Sequence, residues 1–240
     1  MKIGRPSSLL TDSMHSLSDT LGPQVPDALA DIPVETVERA VRWMRAQPDL
    51  RSPPIVVEGD SKGAELALVA ASHNRDLCAV VAFAPSSQVF EGFSTSKGAR
   101  RASWTIDGTP LPYADNPMPS PVKMQIRAAR LAHAPVSFRG QYLALATPPK
   151  ENSTIPVWEI AGPLLLIAGR DDQLWPSDIF ARRILDERAA HQSSFRDSAL
   201  IFNHAGHQID VPYIHRWSID SGRTGFFGRA RRLATRLRSR

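Results

Sequence analysis

The sequence predicts an α/β domain on a mostly parallel, doubly wound sheet, and three observations predict it. Apolar strand-like runs alternate with amphipathic helical stretches. Two of the runs, 77–84 and 163–169, are apolar at nearly every position, as parallel strands buried on both faces are. A third, Ile55-Val56-Val57, leads through Glu58-Gly59-Asp60-Ser61-Lys62-Gly63 into a helical stretch. That is a Gly-x-Ser-x-Gly turn in a strand–turn–helix setting, the pattern of a nucleophile elbow.

Taken in order, residues 1–30 are rich in Ser, Pro, Asp and Gly and carry no strand pattern, and 1–26 is expected as an irregular segment. The α/β domain is expected over 27–240. Pro33 opens an amphipathic helix with Val34, Val37, Val41 and Met44 on one face, and Gln47-Pro48 ends it. The elbow helix runs to about His73, and the strand, helix, strand order implies a right-handed crossover. Residues 85–155 are the least regular, with many prolines and a helix expected over 121–132. They read as an insertion, either a lid or substrate wall or a structural excursion. After the run at 163–169, Pro176 starts a helix with Ile179, Phe180, Ile184 and Leu185 inward, and 199–202 is the last strand. Residues 225–240 are expected to form a basic amphipathic helix.

The 240 residues suit one domain with a sizeable core. The single cysteine, Cys78, excludes an internal disulfide and reads as a buried small hydrophobe. The net charge of +5 is a property of the C-terminus, where residues 229–240 hold six arginines and no acid and leave the rest near −1. A solvated helix face explains that charge better than a nucleic-acid role does. No run is apolar enough to span a membrane and the N-terminus has no signal-peptide core, so a cytoplasmic location is expected. No His or Cys spacing suggests a metal, no Gly-rich loop a phosphate cradle, and no cofactor is expected.

Ser61, Asp172 and His207 each fall just past the end of an expected strand, where open α/β sheets place their working groups. A serine hydroxyl needs a base to take its proton, and the base needs a partner to fix its tautomer. The chain order Ser, Asp, His is that of the α/β hydrolases. Asp171 and His204 compete with Asp172 and His207. His15 fits less well because it precedes the first expected helix or strand, and His73, His133 and His191 because they fall on or near helix ends. Gly59 and Gly63 are expected to be glycines because side chains there would strike neighbouring backbone. The backbone N–H of Lys62, at the helix N-terminus, is one expected oxyanion donor, and a second has no evident source in the sequence.

Longer motifs carry a resemblance. Gly59-Asp60-Ser61-Lys62-Gly63-Ala64-Glu65-Leu66-Ala67-Leu68, Ser103-Trp104-Thr105 with Gly108-Thr109-Pro110-Leu111-Pro112, the block 162–177 containing Asp171-Asp172-Gln173-Leu174-Trp175-Pro176-Ser177, and His204-Ala205-Gly206-His207 with Pro212-Tyr213 are the residues concerned. Over roughly 22–215 the chain resembles the C-terminal catalytic domain of acyl-CoA thioesterases and bile acid-CoA:amino acid N-acyltransferases, an α/β hydrolase. The resemblance implies Ser61 as nucleophile, Asp172 as acid and His207 as base. Acyl-transferring members use cysteine, so the serine implies hydrolysis of an acyl-CoA thioester through an acyl-enzyme. Ordinary carboxylester or lactone hydrolysis, as in dienelactone hydrolase, and a truncated non-catalytic remnant are the alternatives.

The chain departs from the family at Asp12-Ser13-Met14-His15-Ser16-Leu17-Ser18-Asp19-Thr20, which is not a buried strand although a strand and an oxyanion donor belong there. In this reading the sheet lacks its N-terminal strands, and Ile55-Val56-Val57 would expose an apolar edge. A homodimer through that edge, or aggregation, is expected.

Overall fold

The computed structural model describes residues 28–209 apart from 51, 53, 95–99, 116–119 and 133–135. The expected irregular segment 1–26, the basic helix 225–240, the departure at 12–20 and His133 lie outside the described residues.

Two short strands, β1 (Ala28–Leu29) and β2 (Ile32–Pro33), precede helix α1 (Glu35–Ala46). They correct the expectation of no strand before residue 30 and of a helix opened by Pro33, because their partners, 93–94 and 104–105, lie far along the chain where no local pattern shows them. Val34, Val37 and Val41 are buried along one face, as the spacing predicts. Next come β3 (Ile55–Asp60), α2 (Lys62–His73) and β4 (Leu77–Phe83). The 85–155 stretch holds β5 (Phe93–Ser94), β6 (Trp104–Ile106), β7 (Thr109–Pro110), α3 (Ser120–Leu131) and α4 (Arg139–Leu145). The chain then runs through β8 (Leu164–Gly169), α5 (Ser177–Ala190) and β9 (Ser198–Phe202).

The main sheet has the order β3-β4-β8-β9, and every neighbouring pair is parallel. Its register sorts the side chains into two faces. Val57, Val80, Leu164, Leu166, Ala168, Ala199 and Ile201 line one face, which carries the core. α2 packs against β3 and β4, α5 packs against β8 and β9, and both helices meet the turn Val157–Glu159. α2 is buried nearly all round, and Ala64, Ala67, Ala70 and Ala71 let it lie close to the sheet.

The other face differs from the expectation of strands buried on both sides. Ala79, Val81, Phe83, Leu165 and Ile167 are half-buried, while Val56, Leu200 and Phe202 are 46%, 48% and 50% exposed among the described residues. Continuous apolar runs therefore mark these strands without revealing how deeply each face is covered. Cys78 is likewise half-buried rather than buried. β3 ends the described sheet, paired on one side with β4.

The 85–155 stretch is not a detached excursion. Val89, Trp104 and Ile155 belong to the main core. Phe90, Ala114, Tyr142 and Ala146 join Trp175 and Phe180 in a second cluster. Trp104 lies in β6, which pairs with β2 and β7, so this stretch ties the start of the described chain to the body of the domain.

Arg188 of α5 fixes the start of β8. Its Nε and Nη2 donate to Asp197 at 2.8 and 3.0 Å, Nη1 donates to the carbonyls of Val157 and Ile160 at 3.0 and 2.8 Å, and Nη2 to that of Gly162 at 2.7 Å. Asp197 in turn accepts the N–H of Leu164, the first residue of β8, at 2.9 Å. All five guanidinium donors are used. Arg188→Met is expected to lower stability by about 3–5 kcal/mol, because it leaves the Asp197 carboxylate without its cation and takes the donor from the Ile160 and Gly162 carbonyls. Urea denaturation checks this, and a loss under about 1 kcal/mol would show that the clamp is dispensable.

Candidate active site

β3 ends at Asp60 and α2 begins at Lys62, so the reversal from strand to helix is made within Ser61. Its backbone takes φ 55° and ψ −118°, a conformation that costs a non-glycine residue about 1–3 kcal/mol. Two hydrogen bonds hold it there. The Ser61 N–H donates to the carbonyl of Phe83 at 2.9 Å, and the Ser61 carbonyl accepts the N–H of Glu65 at 3.1 Å. The turn brings α2 back over the end of β3 so closely that a Cβ on Gly59 would lie 2.2 Å from the Gly63 carbonyl oxygen. Gly59 is therefore a steric requirement. Gly63 corrects the expectation, since a Cβ there would meet nothing within 4 Å among the described residues. What the elbow needs of residue 63 is its backbone, which Gly59 approaches.

The loops after β8 and β9 supply the other two groups. Gly169 permits their crossing, because a Cβ on it would stand 2.1 Å from the Ala205 carbonyl oxygen. The N–H of Asp171 donates to that same oxygen at 3.1 Å. His207 is thereby brought between Ser61 and Asp172. Its Nδ1 lies 2.9 Å from Asp172 Oδ2, and its Nε2 lies 2.7 Å from Ser61 Oγ. A carboxylate only accepts, so Nδ1 carries the proton, and Nε2 presents its lone pair to the serine hydroxyl.

Asp172 is fully buried and fully engaged. Its Oδ1 accepts the N–H groups of Leu174 and Trp175 at 2.9 and 3.2 Å, and its Oδ2 accepts the Ser177 hydroxyl at 2.7 Å as well as His207. Arg139 donates to the Asp172 carbonyl at 3.3 Å and pairs with Asp178 at 2.7 Å, which steadies the loop from the side of α4. The Trp175 ring stands edge-on to the His207 imidazole at 5.3 Å between centroids. Its Nε1–H donates to the Ala84 carbonyl at 3.0 Å.

The competing residues are elsewhere. His204 is exposed, and Asp171 Oδ1 accepts from the Gln173 side chain at 3.1 Å. His73 and His191 sit at helix ends in contact with solvent. As the first residue of α2, Lys62 has a backbone N–H among those without an intrahelical acceptor. Among the described residues no group of three or more His, Cys, Asp or Glu side chains could hold a metal, and no helix is long and apolar enough to cross a membrane.

The family described as BAAT / Acyl-CoA thioester hydrolase C terminal matches residues 32–223. The chain belongs to this family. Relatives include the peroxisomal succinyl-coenzyme A thioesterase of Mus musculus, 28% identical over 193 residues that cover 79% of this chain and 41% of that protein. Acyl-coenzyme A amino acid N-acyltransferase 2 of Rattus norvegicus is 28% identical over 200 residues, with the same coverage of 79% and 41%. The chain thus spans about two-fifths of the length of these curated relatives. Among solved structures, an esterase of Pyrococcus furiosus is similar with 18% identity and a TM-score of 0.41, covering 72% of this chain and 53% of the other.

In this BAAT / acyl-CoA thioester hydrolase fold several side chains at the site are ones that sequence reasoning left without a role. Ser177 and Trp175 stand in the Trp-Pro-Ser block that carries the resemblance, yet nothing in their spacing announces a bond to Asp172. The side chains of Lys62, Glu65, Ser103 and Trp104 also meet, and their motifs offer the one signal that could have found them.

The two glycines separate cleanly by experiment. Gly59→Ala is expected to destabilise the fold by about 1–3 kcal/mol or more through overpacking. Gly63→Ala is expected to leave stability unchanged or raise it by up to about 1 kcal/mol, because it removes a helical glycine. Thermal unfolding of the two variants beside the wild type reads the difference.

Proposed function

We propose that the chain is a serine hydrolase of acyl-CoA thioesters acting through an acyl-enzyme on Ser61. The observation that carries this reading is the continuous hydrogen-bond path from Ser61 Oγ through His207 to the buried Asp172, at 2.7 and 2.9 Å. Family membership supports the thioester class, and the serine, in place of the cysteine used by acyl-transferring members, supports water as acceptor.

In this mechanism His207 Nε2 takes the Ser61 proton as Oγ attacks the thioester carbonyl. The oxyanion faces the backbone N–H of Lys62 at the start of α2, where the helix dipole favours negative charge. A lost donor of this kind costs about 2.7–4 kcal/mol of transition-state stabilisation. Collapse of the adduct breaks the carbon–sulfur bond, and the protonated His207 delivers its proton to the departing coenzyme A thiolate. Water then gives a proton to His207 as it attacks the acyl-enzyme, the ester bond breaks, and Ser61 Oγ recovers the proton. Asp172 holds the imidazole in the tautomer these steps need and steadies its charged form. The reading includes 27–240 as one catalytic domain, with 85–155 as an insertion that serves as lid or substrate wall, and a cytoplasmic location.

A fluorophosphonate probe tests the assembled site. It is expected to label the wild type and not Ser61→Ala, and to label Asp172→Asn about 10⁴-fold more slowly, because the asparagine imposes the wrong imidazole tautomer. Hydrolysis of acyl-CoA beside nitrophenyl esters then decides the substrate, and a clear preference for the oxygen esters would move the reading to a carboxylesterase or dienelactone-hydrolase type. A folded wild type that does not label would make the chain a non-catalytic remnant.

The same reading has a second copy pairing along the open side of β3, where Val56 is exposed. Light scattering is expected to give a dimer, and a clean monomer with a sharp unfolding transition would remove that pairing.

A further inference from the structure

Beside the catalytic path lies a buried polar network that the proposed reaction does not use. The Lys62 side chain turns inward from the residue after the nucleophile, and 7% of it is exposed; Glu65, one turn on, is fully buried. The Lys62 ammonium donates to Glu65 Oε1 at 2.6 Å, to the Phe90 carbonyl at 2.8 Å and to Ser103 Oγ at 2.7 Å, which uses all three of its protons. Glu65 also accepts the Trp104 indole N–H at 2.8 Å and the Phe90 N–H at 3.4 Å. Ser103 passes its own proton to the Phe90 carbonyl at 2.8 Å.

Phe90 is where this network meets the base. Its backbone is held from both sides by Lys62 and Glu65, and its ring stacks on Trp175 at 6.1 Å between centroids. Trp175 is the ring that stands against His207. The first turn of α2 and the wall behind the imidazole are therefore registered through one residue. A surface lysine would cost nothing to leave in water. Desolvation lowers the Lys62 pKa and raises that of Glu65, each offset in part by the charge of the other, so holding both inside is unfavourable unless the geometry repays it.

We propose that Lys62 and Glu65 are a positioning pair, which fixes the Ser61–Lys62 peptide and the Phe90–Trp175 wall in one register so that the oxyanion donor and the base face the same point. The proposal rests on the serine-hydrolase reading above. It assigns no contact between either side chain and the reacting atoms.

The test replaces the pair by apolar side chains of similar length, Lys62→Met with Glu65→Leu, since removing both charges together is often neutral for stability. The expected result is a cooperative thermal transition, somewhat lowered because the Trp104 and Phe90 N–H groups lose their acceptor, with fluorophosphonate labelling of Ser61 on the folded variant about 10- to 100-fold slower, the size of effect a displacement near 1 Å produces. With acyl-CoA, kcat is expected to fall by the same factor while KM stays within about threefold, because the loss is confined to the transition state. Ser103→Ala, which removes one acceptor of the ammonium and leaves both charges, is expected to give a smaller fall in kcat at unchanged KM, and it serves if the double variant does not fold. Equal labelling of wild type and variants, or a loss that lies wholly in KM, would overturn the positioning role and leave the hydrolase reading standing. A wild type that does not label would overturn both.

Discussion

The Gly63 carbonyl occupies the space where a side chain on residue 59 would be, and the rest of the site depends on that contact. It can exist only if the chain reverses from strand to helix in a single residue. That residue is Ser61, held at φ 55°. A relaxed turn would need more residues and would carry the serine away from the end of the sheet. The close return also explains the character of α2, which is buried nearly all round and lined with alanine where it meets the strands. A helix starting so near the sheet has room for little else. The strain at Ser61 is thus sustained by packing on both sides of it, as an over-determined backbone requires.

Parallel pairing does the remaining alignment. Asp60 lies opposite Phe83, Phe83 opposite Ile167, and Gly169 opposite Phe202, so the strands finish close to one level and their following loops converge. Convergence alone would not bring two particular side chains together. Asp172 meets His207 because its loop folds around it: two backbone N–H groups and the Ser177 hydroxyl fill its acceptor sites, leaving Oδ2 also facing His207. Asp171, one position earlier, points its Oδ1 at Gln173 instead. His204 lies in the exposed turn that carries the chain toward His207.

Much of this was legible in the sequence for reasons that are local. The α2 range follows from the glycine turn and the apolar, alanine-rich run after it, and α1 follows from the spacing of Val34, Val37 and Val41. Chain order placed Ser61, Asp172 and His207 after strands. Three things were not legible, each for a physical reason. The depth of burial on the second sheet face is hidden because Val81 and Ile167 are as apolar as Val80 and Leu166, and periodicity cannot report what covers them. Gly63 looked equivalent to Gly59 because a motif records residue type and not the direction in which a Cβ would point. The meeting of Lys62 with Ser103 and of Glu65 with Trp104 joins residues 41 and 39 positions apart, which no local pattern can register.

Two of the buried ion pairs among the described residues act at opposite ends of the sheet. Arg188 and Asp197 act at the end of the sheet where β8 begins, gathering the carbonyls of Val157, Ile160 and Gly162 and the N–H of Leu164. Lys62 and Glu65 act at the opposite end, where β3 gives way to the elbow. Each pair is too deeply buried to be explained by the modest attraction of surface charges. Each also supplies partners to backbone groups at the margins of regular structure, the carbonyls of Ile160 and Gly162 in one case and the carbonyl and N–H of Phe90 in the other, which a purely apolar contact would not do. Directional groups are needed where the chain leaves regular structure, and among the described residues those places include the end of the sheet where β8 begins and the elbow, where Ser61 turns the chain from strand to helix.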